Sequence, residues 1–541
     1  MQQSGPDAQV IDSWKEISRY LNRDVRTLQR WERTRGLPVR RMPGGAKPGV
    51  YAVRSELDAW RRTRGIHLAS AEDAGAAPAT PPSVAVLPFL NLGCDQEDQY
   101  FADGLADEVI TALSGLPGLR VTARTSSFAF RDKQRDVREV GRRLNARAVL
   151  EGSVRRSGSR VRVTAQLVET SEGYHLWSER FDRELTDVFA IQDDITRAIV
   201  HALRVRLTHA VPRVGPPTAN PEAYHLWLKG RYHTVRQTPN EILRSRELFE
   251  QAIALDPGFA RAHIGLAESW WEGAVLGLDR PREAVAIGRH SVLKALEIDG
   301  SLGEAHAMLG LYLGVHDFDW EAAERAFRRG LELSPASPEV RNRYALYHLA
   351  ATMRLDEALA TLERALEYDP LSPIVHASLG HDLILQRDFR RAAQELELAV
   401  ELDPCYWMAH IWLAGAYGFQ GMLDTSAAIC QKVLEAIGPN ALLMGVAACI
   451  RAVMGDRQRA EQVRLQLIEW GRTSYLSPLA IAWIHLGLGE PEPCLDWLER
   501  AVEEREPFIV EFPSKPLYDT LRPHPRFQAL LARMRLAKTG Q

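Results

Sequence analysis

The sequence is poor in cysteine, with five in 541 residues at Cys94, Cys405, Cys430, Cys449 and Cys494. They are odd in number, mostly far apart and form no C-x-x-C pair, so neither a disulfide framework nor a zinc knuckle is expected. Long apolar runs are missing too. The most apolar stretches, 408–423 and 441–450, are short or interrupted by His410 and Gln420, well below the ~20 residues that cross a bilayer. The opening, MQQSGPDAQVIDSWKE, has no basic start followed by an apolar segment, so no secretory signal is expected. A reducing cytoplasm fits best, with no membrane partner. Catalytic signatures are absent as well: no glycine-rich phosphate loop, G-K-[ST], H-E-x-x-H or G-x-S-x-G occurs. The expectation is of a protein that is not an enzyme and uses no metal or cofactor.

What is present begins with length. A chain of 541 residues exceeds one hydrophobic core and points to about three to four units at roughly 150 residues each. Hydrophobic residues at 45% and charged residues at 25% are those of a folded globular protein rather than a disordered or fibrous one. The net charge of −3 hides an asymmetry: residues 11–66 carry 12 Arg and 2 Lys against 3 Asp and 3 Glu, or +8. A basic head therefore sits on an acidic body. Clustered positive charge displaces the counterions condensed on phosphates, so nucleic acid is the first partner to consider. Residues 67–83, rich in Ala and Pro with no apolar period, are a linker, and VPRVGPPTANP at 211–221 is a second break.

Within the head, Ser13-x-x-Glu16 is a capping box opening a helix over 14–20, and Asp24 caps a second helix that runs to about Thr34. Val25, Leu28 and Trp31 form its buried stripe. Arg26, Arg30 and Arg33, with Gln29 beside them, share the opposite, solvent face. Next, 37–53 holds PGGAKPG between two extended pieces, a turn signal that makes a small wing tipped by Lys47. A last helix starts near Ser55. Arg forks to guanine O6 and N7, Gln pairs with adenine, and Arg reaches phosphate anywhere, so this face has the chemistry for duplex DNA. The alternative for such a helix is a solvated basic face. Trp31 and Trp60 fall on apolar stripes and are expected in the core.

The string SWKEISRYLNRDVRTLQRWERTRGLPVRR, followed by GVYAVRSELDAWRR, resembles the MerR/excisionase-like winged helix–turn–helix modules over the whole head. That resemblance implies that Arg26, Thr27, Gln29, Arg30 and Arg33 enter the major groove, while Arg40, Arg41 and Lys47 lie along the backbone or minor groove.

Residues 84–207 alternate strand and helix: SVAVLPF, the amphipathic EDQYFADGLADEVITALSGL, LRVTA and VREVGRRLN, then successive antiparallel strands and a closing helix. A mixed sheet packed by helices is expected. Asp103, Asp107, Glu108, Asp193 and Asp194 stand at helical spacings without any accompanying catalytic motif, so a solvated face is favoured over catalysis. His175 and Trp177 are expected to pack in the interior. The strings AVLPFLNL, YFADGLADEVITALS, LEGSVRRSGSRVRVTAQLVET and YHLWSERFDRELTDVFAIQDDI resemble the TolB N-terminal-like domain, which implies a coupling or dimerisation module.

From Asn220 the sequence repeats. Unit ends at Pro257, Gly300, Pro335, Pro370, Pro404 and Pro439 give steps of 43, 35, 35, 34 and 35, the period of the tetratricopeptide repeat. In the copy 371–404, Gly380 and Ala392 are small enough for two helices to approach, Leu396 fills the space between them, and Pro404 ends the hairpin. About eight hairpins over 220–507 are expected, with an insertion near WWEGAVLGLDRP, and 508–541 acting as a capping segment. Trp270 and Trp271 are expected to pack between repeats. The predicted protein is multidomain: a small winged helix–turn–helix at 11–66, an α/β mixed-sheet domain at 84–207, and an elongated all-α solenoid. It is a transcriptional regulator whose partners are double-stranded DNA and a protein or peptide on the solenoid's concave face. A homodimer is compatible with this arrangement. The rival is a scaffold whose head recognises no specific site.

Overall fold

The computed structural model describes residues 10–21, 25, 28–29, 32, 37–41, 50–63, 82–93, 96–116, 118–131, 136–157, 160–184, 188–202 and 217–536. The chain divides into two compact units, Met1–Thr80 and Pro81–Gln541.

In the first unit the Ser13 hydroxyl accepts from the Glu16 N–H at 3.2 Å, opening the helix Trp14–Leu21 as the capping box requires. Val25, Leu28, Gln29 and Glu32 are helical, and a further helix spans Arg54–Thr63. Strands β1 (Val10–Ile11), β2 (Arg40–Arg41) and β3 (Val50–Val53) form an antiparallel sheet in the order β1-β3-β2. The pairing of Arg40 with Tyr51 and Arg41 with Val50 is that of the expected extended pieces; β1 has no counterpart in the sequence reading. Ile11, Ile17, Leu28, Leu37, Val50, Ala52 and Leu57 make the core, and Trp14, Tyr20, Val39 and Trp60 pack against it. Trp31 lies outside the described residues.

The second unit starts with a six-stranded sheet. Strands β4 (Ser83–Val86), β5 (Leu90–Asn91), β6 (Arg120–Val121), β7 (Ala148–Ser157), β8 (Arg160–Glu169) and β9 (His175–Glu184) run in the order β6-β4-β7-β8-β9, with β5 on β7. The β6-β4-β7 portion is parallel and β7-β8-β9 antiparallel. Every residue of β4 is buried, as a parallel strand covered on both faces should be. The helices Gln96–Ser114 and Val188–Ala202 cover one face through Phe101, Leu105, Val109, Ile191, Ile195 and Ile199. Val140 and Leu144 of the helix Val137–Leu144 cover the other, with Phe130 beside them. His175 corrects the expectation of interior packing: it is exposed, because it stands on an edge strand. Trp177, half-buried, lies 6.2 Å from Phe181.

From Pro221 to Glu504 consecutive helices pair as hairpins. Side chains at helix starts explain the register: Asn220, Asp319, Ser337, Ser372, Asp388, Asn440 and Asp456 each accept from a backbone N–H in the first turn. The close approach expected at Gly380 is present, since a Cβ there would stand 2.5 Å from Leu396 Cγ. A second repeated device was not anticipated. His263, His306, His376 and His410 each donate from Nε2 to the carbonyl six residues earlier, at Pro257, Gly300, Pro370 and Pro404, over 3.0–3.2 Å. They tie the exits of these four units to the helices that follow. Trp271 is buried, with Tyr312 and Tyr347 edge-on at 6.1 and 5.3 Å. Trp270 lies under the Arg246 guanidinium at 3.5 Å.

The array is not the open, elongated one expected, and the residues after the last hairpin are the reason. Trp320 Nε1 donates to the Met534 carbonyl at 2.8 Å, and Arg387 pairs with Asp519 at 2.7 Å. Val510 belongs to the same apolar core as Leu311, Tyr344 and Leu413. Segment 507–536 thus reaches the middle repeats through Val510, Asp519 and Met534, while its Phe512, Tyr518, Phe527 and Leu530 pack mainly on Leu479, Trp483, Leu495 and Leu498 of the last hairpins.

Candidate functional site

The described part of the basic head gives Arg40 and Arg41 a definite setting. Both are exposed on β2, Arg40 pairing with Glu56 at 2.6 Å and Arg41 with Glu32 at 2.8 Å. Such exposed pairs are worth about 0–1 kcal/mol, so either arginine can exchange its carboxylate for a phosphate at little cost. Gln29 is half-buried rather than on an open face. Arg26, Thr27, Arg30, Arg33 and Lys47 lie outside the described residues.

A second constellation joins the mixed sheet to the repeats, and sequence reasoning missed it. The helix Gln96–Ser114 presents one face to the sheet, while Asp107 and Glu108 meet the first hairpins. Asp107 pairs with Arg231 at 3.0 Å and stands 3.7 Å from Arg124; Glu108 pairs with Arg261 at 2.8 Å; Asp103 pairs with Arg131 at 2.5 Å. These three carboxylates, expected on a solvated face, are buried at 4%, 7% and 2% exposure for Asp103, Asp107 and Glu108. Covering the helix on two sides leaves them no water, so each takes an arginine instead. Burial lifts the Glu108 carboxyl above its usual range against the pull of Arg261. Gly104 belongs to the same seam: a Cβ there would collide with Leu228. Farther along, Asp369 accepts from the Ser126 N–H at 2.8 Å and hydroxyl at 2.5 Å, and the Ala123 N–H donates to the Tyr368 carbonyl at 2.8 Å.

Between sheet and repeats lies a chamber of about 1340 Å³, above the roughly 300–1,000 Å³ of ordinary ligand pockets. Arg124 and Arg231 face it from the seam, Trp271, Glu272, Arg343, Tyr347, Tyr406 and Trp412 from the repeats, and Phe508 and Glu511 from the returning segment. Arg343 Nη2 donates to Glu268 at 2.7 Å. Burial, reinforced by Glu268 and only partly offset by Arg343, pushes the Glu272 carboxyl up to about 7.

The chamber wall is fastened by His381. Its Nδ1 bonds Asp382 and its Nε2 bonds Glu511, both at 3.0 Å, and Lys515 pairs with Glu511 as well. Burial opposes charge on the imidazole, but the attraction of Glu511 and the bond to Asp382 outweigh it and raise His381 to about 9. A cationic partner held above its unfolded value, near ~6.5, stabilises fully below that pH and loses its contribution as pH climbs through the folded value. The melting temperature of the protein should therefore exceed that of His381→Gln by a margin that is largest near about pH 6 and shrinks toward pH ~9. The margin corresponds to on the order of 3 kcal/mol at its maximum. Comparing the two proteins removes the contributions of Glu272, Asp369 and Glu506, which burial also raises. A margin independent of pH would show that His381 is not charged in the fold.

Comparison with known proteins places the mixed sheet and the repeats. Residues 80–198 match the family model of the HilA/YgeH-like transcriptional regulator, second domain, and residues 319–373 match the tetratricopeptide repeat. A protein of Rhizobium meliloti (strain 1021), "Putative adenylate cyclase 3", is 41% identical over 241 residues, covering 43% of this chain and 40% of its own. The transcriptional regulator HilA of Salmonella typhimurium is 22% identical over 302 residues, covering 54% of this chain and 51% of its own. The chain therefore spans about half or less of the curated relatives it matches. Among the described residues no helix is long and apolar enough to cross a membrane.

Proposed function

We propose that the chain is a DNA-binding transcriptional regulator in which residues 11–66 form a winged helix–turn–helix of the MerR/excisionase-like kind. The α/β domain, with its TolB-like sequence strings at 84–207, couples that head to a tetratricopeptide array at 220–507 that receives a protein or peptide signal in the cytoplasm on the surface that segment 507–536 leaves free. The observation that carries this reading is the match of residues 80–198 to the second domain of a transcriptional regulator, next to a head carrying +8 in 56 residues. The sheet-to-repeat seam supplies the coupling, since a shift of the repeats moves Arg231 and Arg261 against the helix that holds Asp107 and Glu108.

The name of the Rhizobium relative raises a second reading, nucleotide cyclisation. The matched regulator domain and the repeats are non-enzymatic modules, and the chain covers 40% of that relative, so the cyclase activity is not carried over. The scaffold reading keeps the array and drops sequence recognition; it requires equal affinity for all duplexes.

Binding to duplex DNA across a salt series separates these readings. Each neutralised phosphate adds about −0.9 to the slope of log affinity against log salt. Lys47→Ala should weaken binding equally on every sequence and flatten the slope by about one unit. Arg30→Ala should instead remove a base contact worth roughly 1–3 kcal/mol and relax preference at one position. An Arg30→Ala protein that stays folded with affinity and preference intact would show the helix face to be merely solvated.

A further inference from the structure

We propose that the chamber between the mixed sheet and the repeats binds a small organic cation of the amine or guanidinium class, held by the Glu272 carboxylate within the rings of Trp271, Tyr347 and Tyr406. This site stands independently of what the basic head binds.

Local charge selects the sign of the ligand. Glu268 and Glu272 share the neighbourhood of a single guanidinium, Arg343, which is committed to Glu268 at 2.7 Å. Arg231 and Arg124, which also line the chamber, share Asp107 at 3.0 and 3.7 Å. On the opposite wall Glu511 is already neutralised by Lys515 and His381. Ten carboxylates against five arginines line the chamber, and Glu272, one of those carboxylates, has no hydrogen-bonding partner among the described residues. The burial that lifts its carboxyl to about 7 shows that an unpaired anion is costly there, and an incoming cation would remove that cost.

The surroundings select the class. Tyr347 and Tyr406 both lie within the field of Glu272, and the Trp271 ring sits 5.3 Å from that of Tyr347, edge to face. A carboxylate in a chamber that Tyr347, Tyr406 and Trp412 also line suits an ammonium or guanidinium, which can gain attraction from an aromatic ring as well as from the acid. The size of the ligand follows from the returning segment. Phe508, Val510 and Glu511 occupy the inside of the array where an extended peptide would otherwise lie, so a partly open chamber remains in place of a continuous groove.

Titration calorimetry of the full chain at about pH 8, where Glu272 is mostly ionised, tests the proposal with putrescine, agmatine and choline against succinate, and with a lysine-rich peptide as a separate arm. At least one cation should bind saturably with one-to-one stoichiometry, and succinate should not. Glu272→Gln should weaken that cation about tenfold or more with unchanged circular dichroism, and Tyr406→Leu should weaken it several-fold. Absence of saturable binding by all three cations, equal affinity in Glu272→Gln, or binding of the peptide alone would each overturn it.

Discussion

Replacing Arg261 with alanine should destabilise the unit Pro81–Gln541 by about 3–5 kcal/mol, the usual consequence of leaving one member of a buried ion pair without its partner. The loss arises at Glu108, whose side chain is 3% exposed and pairs with Arg261 at 2.8 Å. With the guanidinium gone, that carboxyl loses its 2.8 Å partner in a dry seam and is pushed further toward taking up a proton. The destabilisation should therefore be smaller at low pH, where protonation is free, and grow as pH rises. Pairing the change with Glu108→Gln should recover part of the stability, since an amide tolerates the same burial with hydrogen bonds alone. Chemical denaturation of the three variants at two pH values reads this out. A midpoint unchanged in Arg261→Ala would mean that sheet and repeats are held by apolar contacts such as Leu228 on Gly104 and that the ion pairs are incidental.

Leu28→Ala should have a comparably large effect confined to the head. Leu28 is fully buried among Ile11, Ile17, Leu37, Val50, Ala52 and Leu57, and truncating a buried leucine costs about 2–5 kcal/mol through lost transfer and the cavity left behind. A core of so few side chains has little stability to spare, so the head should melt well below the rest of the protein and DNA affinity should vanish with it. The transition of the second unit should not move. Differential scanning calorimetry distinguishes the two units directly. A head that still melts in place with Leu28→Ala, or a second unit that melts with it, would contradict the packing described.

Some of this was legible in the sequence, for physical reasons that differ from element to element. The repeats announced themselves because each hairpin must solve the same packing problem at the same interval, and Gly380 and Leu396 meet as their spacing implied. The histidines that bind the unit exits carried an equally regular signal, six residues after Pro257, Gly300, Pro370 and Pro404, but a single histidine per unit does not declare its partner. Asp103, Asp107 and Glu108 misled because helical spacing tells which residues share a face, not whether another element covers that face. The partners of Asp107 and Glu108, Arg231 and Arg261, lie more than a hundred residues away, beyond the reach of local pattern. The contacts of segment 507–536 with Trp320 and Arg387 were hidden for the same reason: an amphipathic end reads as a cap on the last hairpins, and nothing local shows that it also reaches earlier ones. Strand β1, two residues long, is too short for any alternation to show.

The central claim is that the basic head gives this chain a sequence preference on DNA, and selection of bound duplexes from a random pool with the full-length protein tests it most directly. Enrichment of one motif, bound at least about 10³-fold more tightly than unselected duplex at physiological salt and relaxed at one position in Arg30→Ala, is the predicted result. A pool that remains unenriched after repeated rounds, while binding of all duplexes is equally salt-sensitive, would contradict it and leave an electrostatic scaffold.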